Sequence, residues 1–136
     1  MEDRSEHFVG KVAQKAIIER DGKILVCKGI GDKVWELPGG RLHNGEKPQE
    51  GLAREIKEEV NLEISVGKPV FIDKSYHGKE KADQLFVTYA CTVIGGEFKA
   101  DPGEVEDYCW VAQKEALALP LFEDCRAALR AYFGVR

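Results

Sequence analysis

Three glutamates stand close together in one short segment, at a spacing that could serve chemistry. Glu55, Glu58 and Glu59 occupy relative positions i, i+3 and i+4, so on an α-helix they share an arc of about 100°. Carboxylates at this spacing repel each other. A hard divalent cation would remove the repulsion, and oxygen ligands suit Mg²⁺ or Mn²⁺ better than zinc. Because Mg²⁺ usually completes its shell with water and phosphate oxygens, the trio indicates phosphate chemistry.

An acidic helix face can also be no more than a solvated surface. Arg54 and Lys57 stand in the same segment and could form ion pairs with the carboxylates. Exposed charges of this kind are common and contribute little to stability. The residues on either side of the trio are what distinguish the two interpretations.

The segment that begins at Gly40 reads GRLHNGEKPQEGLAREIKEEVNL. It resembles the Nudix box: Gly, five residues, Glu, seven residues, Arg-Glu, an aliphatic, any residue, Glu-Glu, any residue, Gly and an aliphatic. The matching residues are Gly40, Glu46, Arg54, Glu55, Ile56, Glu58, Glu59 and Leu62. With one mismatch allowed, a chance match in a chain of this length is expected on the order of 10⁻⁴. The resemblance is therefore specific.

Asn61 stands where the family has its second glycine. This position follows the last helical residue, where the chain often adopts a left-handed conformation that glycine prefers and asparagine tolerates. We expect the departure to affect stability slightly and to leave the chemistry unchanged.

The resemblance implies a metal site. Glu58 and Glu59 would be the main metal ligands, Glu55 a third ligand or a base, and the Gly40 carbonyl a backbone ligand. The implied cofactor is Mg²⁺, with Mn²⁺ as a substitute. These residues would hydrolyse a phosphoanhydride link through metal-activated water.

Arg54 and an acid from a distant loop would complete the catalytic set. By the same resemblance, Arg54 would orient the site by pairing with Glu46 or a neighbouring carboxylate, for which its planar fork is well suited. Family members often recruit one further carboxylate from a later loop. Glu104 in DPGEVEDYCW is the candidate, with Glu106 and Glu97 as alternatives, although loop acids are commonly just solvated.

Cationic and aromatic residues near the box could bind the substrate. Lys28 could contact a phosphate as a point charge, and Arg41 could do so with two hydrogen bonds. Either could equally be a surface cation. Trp35, Phe8 and Tyr76 are candidate stacking platforms for a base, but aromatic residues in strands more often fill the core.

The elements that must position these residues follow from periodicity and turn signals. Leu52, Ile56 and Val60 recur every four residues and predict a helix over 47–60. The Asp21-Gly22 pair predicts a hairpin. Flanking and later strands are predicted at 11–19, 23–28, 64–73, 84–94 and 105–111, and an amphipathic helix after Pro120. This order predicts an α/β fold, an α/β/α sandwich around a mixed β-sheet, in one domain over residues 1–136.

Composition excludes several classes of function. The net charge is −4 and no long basic run is present, so we expect no nucleic-acid polymer as a partner. The polar N-terminus and the lack of a membrane-length apolar window predict a cytoplasmic protein with no membrane partner. Four widely spaced cysteines are expected to be reduced and buried, with a zinc site as the weaker alternative.

These observations predict a Nudix-type pyrophosphohydrolase acting on a small nucleotide. A nucleoside triphosphate is favoured, because 136 residues leave little room for the N-terminal extension that larger nucleotide-sugar enzymes use to dimerise. ADP-ribose, other nucleotide sugars and dinucleoside polyphosphates remain alternatives. A non-catalytic nucleotide-sensing module would not need three repelling glutamates, and a prenyl-diphosphate isomerase would need a reactive cysteine. The protein is expected to be a monomer or a homodimer.

Overall fold

The computed structural model describes residues 6–78 and 81–135. The strands are β1 (Lys11–Arg20), β2 (Lys23–Gly29), β3 (Gly39–Arg41), β4 (Leu62–His77), β5 (Ala82–Gly96) and β6 (Val105–Val111), and the helices are α1 (Pro48–Val60), α2 (Gln113–Ala118) and α3 (Glu123–Phe133). All the predicted strands and both predicted helices are present, with β4 and β5 longer at each end than predicted. The pattern did not predict α2, because six residues carry too little helical periodicity.

The hairpin between β1 and β2 turns at Asp21 and Gly22, as predicted. Both residues have positive φ, 53° and 76°, which is the conformation that a two-residue hairpin turn requires. The two strands pair antiparallel, with Arg20 opposite Lys23. The turn therefore fixes the register of β1 against β2.

One mixed sheet runs through the molecule in the order β4-β5-β1-β2-β6, with β3 also paired to β1. The pairing of β1 with β5 is parallel, whereas β1 with β3, β2 with β6 and β4 with β5 are antiparallel. Strand β2 lies between β1 and β6, and Ile24, Leu25 and Val26 are fully buried. A strand buried on both faces explains the continuous apolar run in its sequence.

The helices cover the two faces of the sheet. On one face, Leu52, Ile56 and Val60 of α1 pack with Ile18 of β1 in a buried core. On the other face, α3 packs Leu129 with further residues of β1 and β2 in a second core. Each fully buried leucine or isoleucine contributes roughly 1.5–3 kcal/mol through removal from water. The predicted α/β/α sandwich is confirmed.

The cysteines behave as small apolar side chains. All four are free, with Cys27, Cys91 and Cys125 buried and Cys109 half-buried. Burial raises the pKa of the Cys91 thiol to about 12 and that of Cys125 to about 11, and it raises the pKa of Cys27 further. Thiols with raised pKa values are poor nucleophiles, which argues against the isomerase hypothesis.

No helix in the described part of the chain combines the length and the apolar character that crossing a membrane needs.

Candidate functional site

Helix α1 carries the three glutamates beside its buried stripe, with Glu59 buried and Glu58 exposed. Pro48 occupies the first turn, where its missing N–H is not needed. The helix ends at Asn61, which has φ 58° and ψ 27° and donates its N–H to the Lys57 carbonyl. The predicted left-handed conformation at Asn61 is confirmed. The side chains of Leu52 and Ile56 are fully buried and so anchor the helix that carries the glutamates.

Arg54 gathers three carboxylates. Its Nε and Nη2 each donate to one oxygen of Glu46 at 2.9 Å, which is a bidentate pair. Its Nη1 donates to Glu55 and to Glu58, both at 3.1 Å. Glu46 also accepts a hydrogen bond from the His43 N–H at 2.7 Å. The Arg54 guanidinium, helped by that N–H, lowers the pKa of Glu46 to about 2, so this carboxylate stays ionised and fixes the loop to the helix.

Glu59 lies beneath this network, with 7% of its surface exposed. Its Oε2 accepts a hydrogen bond from the Gly39 N–H at 3.3 Å. Burial raises the pKa of Glu59 to about 7, with the negative charges of Glu36 and Glu104 adding to the rise, although the Lys15 ammonium and the Gly39 N–H oppose it. A cation bound here would favour the ionised form.

At Gly40, the backbone of strand β3 lies directly against the carboxylate of Glu55. It pairs with Gln14 of β1, and a Cβ built at this position would lie 2.5 Å from the Glu55 carboxylate carbon. Only glycine therefore lets Glu55 approach the strand this closely. The predicted backbone ligand Gly40 and the predicted side-chain ligand Glu55 are therefore neighbours.

Glu104 belongs to a tight turn that follows β5. Asp101 Oδ1 accepts a hydrogen bond from the Gly103 N–H at 3.0 Å, and the Asp101 carbonyl accepts one from the Glu104 N–H at 3.0 Å. Partial burial raises the pKa of Glu104, and the negative charges of Glu55, Asp101 and Glu58 raise it further. The turn thus fixes the backbone of Glu104, whose carboxyl is subject to the charges of the α1 acids.

The two alternative loop acids make other contacts. Glu106 Oε1 accepts a hydrogen bond from the Gly31 N–H at 3.4 Å. Glu97 is exposed, and its backbone carbonyl accepts a hydrogen bond from the Asn61 side chain at 2.8 Å.

Glu55, Glu58, Glu59 and Glu104, here called the acidic group, could supply oxygen ligands to a cation, but they do not yet form a complete set of ligands around one point. Among residues 6–78 and 81–135, no three His, Cys, Asp or Glu side chains already converge as metal ligands. Arg54 supplies the positive charge between Glu55 and Glu58 instead. Carboxylate oxygens that repel each other and face one glycine backbone match a hard divalent cation. They do not match zinc, which favours nitrogen and sulfur ligands.

A pocket of about 680 Å³ opens on the α3 face of the sheet, and residues from both halves of the chain line it. Gly40 and Arg41 form part of its wall, so the acidic group and the pocket share strand β3. The other lining residues are Ala13, Lys15, Asp32, Glu36, Ser75, Tyr76, Gly78, Gln84, Phe86, Phe122, Glu123, Asp124 and Cys125. A cavity of this size can hold a small ligand.

Lys15 and Glu36 form an ion pair in the pocket wall. Their Nζ and Oε1 atoms are 3.5 Å apart, and their side chains are 14% and 23% exposed. Burial by itself would lower the pKa of Lys15, but the nearby acids, chiefly Glu36 and to a lesser degree Glu59, raise it. Lys15 therefore stays charged and links the pocket electrostatically to the acidic group.

The predicted substrate residues divide between two places. Arg41 lines the pocket. Lys28 instead lies over Trp35, with its Nζ 4.8 Å from the ring centroid, and neither residue is among those that line the pocket. The backbone N–H of Trp35 donates a hydrogen bond to the Pro120 carbonyl at 2.7 Å. Its ring packs against the second core, as the alternative interpretation of the aromatic residues expected.

Sequence reasoning missed several pocket residues. Lys15 and Glu36 were not singled out, nor was Phe122, which is 43% exposed. Asp124 was also missed, and its Oδ2 accepts a hydrogen bond from the Ser75 hydroxyl at 2.8 Å. One signal was available, because a lysine in the middle of the otherwise largely apolar β1 segment is unusual for a buried strand.

Comparison with known proteins identifies the family of this chain. The family model described as NUDIX domain matches residues 11–132. The chain is 30% identical over 125 residues to CTP pyrophosphohydrolase of Escherichia coli strain K12, covering 89% of this chain and 90% of that protein. It is also 30% identical over 128 residues to nucleoside triphosphatase NudI of E. coli O17:K52:H18, covering 84% of this chain and 90% of the relative.

A solved structure shows the same fold. The NUDIX hydrolase from Nitrosomonas europaea superposes with a TM-score of 0.80 at 20% identity, covering 93% of this chain and 90% of that one. Its mixed sheet between helices corresponds to the architecture described above. The match to the family model spans most of the chain, including the acidic helix and the pocket strands. The chain therefore belongs to the Nudix family of hydrolases.

Proposed function

We propose that this hydrolase is a magnesium-dependent pyrophosphohydrolase of nucleoside triphosphates. The observation that carries the proposal is the shared wall formed by Gly40 and Arg41, which separates a group of repelling carboxylates from a ligand-sized pocket. A nucleotide placed with its base in the pocket would direct its phosphates past this wall. The scissile link would then lie beside the carboxylates.

Nudix hydrolases generally use divalent metal ions. Here Glu58 and Glu59 would be the main ligands of Mg²⁺, with Glu55 and the Gly40 carbonyl completing the protein's contribution, and Mn²⁺ could substitute. When bound, the ion supplies a Lewis acid that polarises phosphoryl oxygens and lowers the pKa of water. The oxygen-only donor set and the mutual repulsion of Glu55, Glu58 and Glu104 support this assignment.

Arg54, Glu104 and Arg41 would each have a role beside the metal site. Arg54 keeps its bidentate bond to Glu46 and so anchors the loop to the helix. Glu104 would accept a proton from the attacking water, and its raised pKa makes it a stronger base than an ordinary carboxylate. Arg41 would bind a phosphate through its guanidinium fork. Lys28 and Trp35, which contact each other outside the pocket lining, remain candidate substrate contacts.

The pocket chemistry favours a base with an exocyclic amino group. Nudix enzymes act on small nucleotide substrates. Glu36 and Asp124 could accept hydrogen bonds from the amino group of cytosine, adenine or guanine, which uracil lacks. Lys15, beside Glu36, could donate to a ring nitrogen or carbonyl. The relative named CTP pyrophosphohydrolase supports cytosine as the first base to test.

Domain number, oligomeric state and location are properties of the whole protein. We infer a single domain, since the family model spans residues 11–132, and a monomer or homodimer. Four free cysteines fit the reducing cytoplasm. A pocket of about 680 Å³ is suited to a nucleotide, and we propose neither a nucleic-acid polymer nor a membrane as partner. Size-exclusion chromatography with light scattering would determine the oligomeric state.

The test is phosphate release across a substrate panel. Nucleoside triphosphates, ADP-ribose, other nucleotide sugars and dinucleoside polyphosphates are each incubated with Mg²⁺ or with EDTA, and products are converted to phosphate by coupling enzymes. We expect Mg²⁺-dependent turnover of triphosphates, with CTP faster than UTP. Faster turnover of a nucleotide sugar or a dinucleoside polyphosphate would contradict the preference for triphosphates and assign the enzyme to that substrate class. Nucleotide binding with no turnover of any compound would instead indicate a sensing module.

A further inference from the structure

The C-terminal end of α1 is joined to the loop that carries Glu104. Asn61 donates its side-chain Nδ2–H to the Glu97 carbonyl at 2.8 Å. Only the amide nitrogen of this side chain can donate to a carbonyl, so the direction of the bond is defined. The bond spans 36 positions of sequence. It ties the residue directly after the acidic helix to the first residue after β5.

Two backbone hydrogen bonds continue the same contact. The Lys99 N–H donates to the Val60 carbonyl at 2.9 Å, and the Asp101 N–H donates to the Glu59 carbonyl at 2.8 Å. The last carbonyls of a helix lack partners within the helix, and here the loop supplies them. Segment 97–101 is therefore aligned against the end of α1 over its whole length.

The aligned segment leads into the turn that holds Glu104. The Asp101 carbonyl accepts hydrogen bonds from the N–H groups of Glu104, at 3.0 Å, and Val105, at 2.8 Å. A shift at Glu97 would be passed along this short segment to Glu104. Misplacement of a catalytic group by about 1 Å can lower a rate by about 10²-fold. The anchor at Asn61 thus bears on the chemistry, which differs from the expectation from the sequence that Asn61 affects stability alone.

We propose that Asn61 is a positioning residue for hydrolysis, whose side-chain amide fixes loop 97–104 and so holds Glu104 opposite Glu55 and Glu58. The proposal rests on the proposed function, in which Glu104 accepts the proton of water. Glycine, which the box has at this position, would adopt the same left-handed backbone but has no donor. Asparagine here combines tolerance of positive φ with a side-chain N–H.

The first test replaces Asn61 without disturbing its backbone. Asn61→Gly removes the donor and keeps the left-handed conformation, and Asn61→Asp keeps the shape but offers no N–H to the Glu97 carbonyl. We expect kcat for the best triphosphate to fall about three- to tenfold in both, as for one lost hydrogen bond, with KM within about twofold. Asp21→Gly, at another positive-φ position in the β1–β2 turn, is the matched control and should keep its kcat.

A double-mutant cycle then separates positioning from general stability. If Asn61 acts through Glu104, Asn61→Gly should have no further effect on kcat in a Glu104→Gln background. An equal loss of kcat in both backgrounds would overturn the proposal. So would a Glu104→Gln variant with wild-type turnover, since there would be no acid for Asn61 to position.

Hydrogen exchange provides a readout that does not depend on turnover. The amides of Lys99 and Asp101 should exchange about three- to tenfold faster in Asn61→Gly than in wild type, with the amides of β2 unchanged. Unchanged protection in the loop would contradict the proposal. Absence of metal-dependent turnover in the wild-type protein would instead remove the proposed function itself, whereas an active wild type with a fully active Asn61→Gly removes only the role of Asn61.

Discussion

Glu59 is a carboxylate that the fold buries before any cation is bound. With 7% of its surface exposed, its pKa is raised to about 7, first by burial and then by the charges of Glu36 and Glu104. Lys15 and the Gly39 N–H oppose the rise without cancelling it. The metal-free protein therefore stores unfavourable electrostatic energy at this residue once Glu59 ionises.

This residue makes folding stability depend on pH in EDTA. The unfolded carboxyl loses its proton near 4.5 and the folded one near 7, so the native state binds more protons between these values. The free energy of unfolding should fall as pH rises through that window, by roughly 3 kcal/mol at most. Urea unfolding at pH 5, 6, 7 and 8 measures it. Glu59→Gln should lack this component, and identical pH dependence in the two proteins would contradict the assignment.

Glu58 offers a sharper test of the metal assignment. Its side chain is 51% exposed and pairs with Arg54, so Glu58→Gln should leave the fold intact. We expect turnover with Mg²⁺ to fall by about 10³-fold or more, because a ligand charge is deleted while the shape is kept. Glu50→Gln, in the exposed first turn of the same helix, is the control. Near-normal turnover of a folded Glu58→Gln protein would refute the role.

At the scale of elements, strand β3 connects the fold to the site through two adjacent glycines with different surroundings. A Cβ at Gly39 would overlap the Gln14 carbonyl and lie 2.9 Å from the Lys15 Cα, and its φ is 152°. These neighbours are backbone atoms of β1 that cannot move independently. At Gly40 the nearest neighbour is the Glu55 carboxylate, which is a movable side chain.

Alanine at each glycine should therefore separate stability from activity. We expect Gly39→Ala to lower stability by about 2–4 kcal/mol, because β1 and β3 can no longer pair closely. Gly40→Ala should keep most of its stability but lose about 10- to 100-fold in kcat, because Glu55 is displaced. Thermal unfolding and steady-state kinetics on both variants measure the difference. Equal effects of the two substitutions on both quantities would show that the pair acts as one structural unit.

At the scale of the whole molecule, binding and chemistry draw on different parts of the chain. The acids lie on α1 and on the turn before β6, whereas the pocket collects Lys15 from β1, Ser75 from β4 and Phe122 from the segment before α3. This division predicts that pocket variants change KM more than kcat. Variants of the acids should do the reverse.

Phe122 is the aromatic residue on which we would test this division. It lines the pocket and is 43% exposed, so it can offer a ring face to a base. Base–aromatic stacking contributes about 1–3 kcal/mol, and Phe122→Ala should raise KM for triphosphates about 5- to 100-fold with a smaller change in kcat. Ile94→Ala removes an exposed apolar side chain, 67% exposed, outside the pocket and should change neither KM nor kcat. An unchanged KM in Phe122→Ala would exclude stacking on this ring.

Local signals were enough to predict the acidic helix and its surroundings. The periodicity of Leu52, Ile56 and Val60 predicted α1, and the pair Asp21-Gly22 predicted the hairpin. The resemblance to the Nudix box implied that Arg54 pairs with Glu46 or a neighbouring carboxylate, and Arg54 bonds to Glu46 and to two such neighbours. These features depend on residues close in sequence or on backbone conformations that few residue types adopt. They are therefore readable without tertiary contacts.

The sequence by itself determined the family, the acidic helix and the left-handed end at Asn61, because each depends on short-range spacing. Only the tertiary structure decided which side chains share the pocket and which strand pairs parallel with β1. It joined Lys15 to Glu36 and turned Lys28 onto Trp35, and it connected Asn61 to Glu97 across 36 positions. Such contacts arise when the sheet brings distant strands together, and no local pattern encodes which partners will meet.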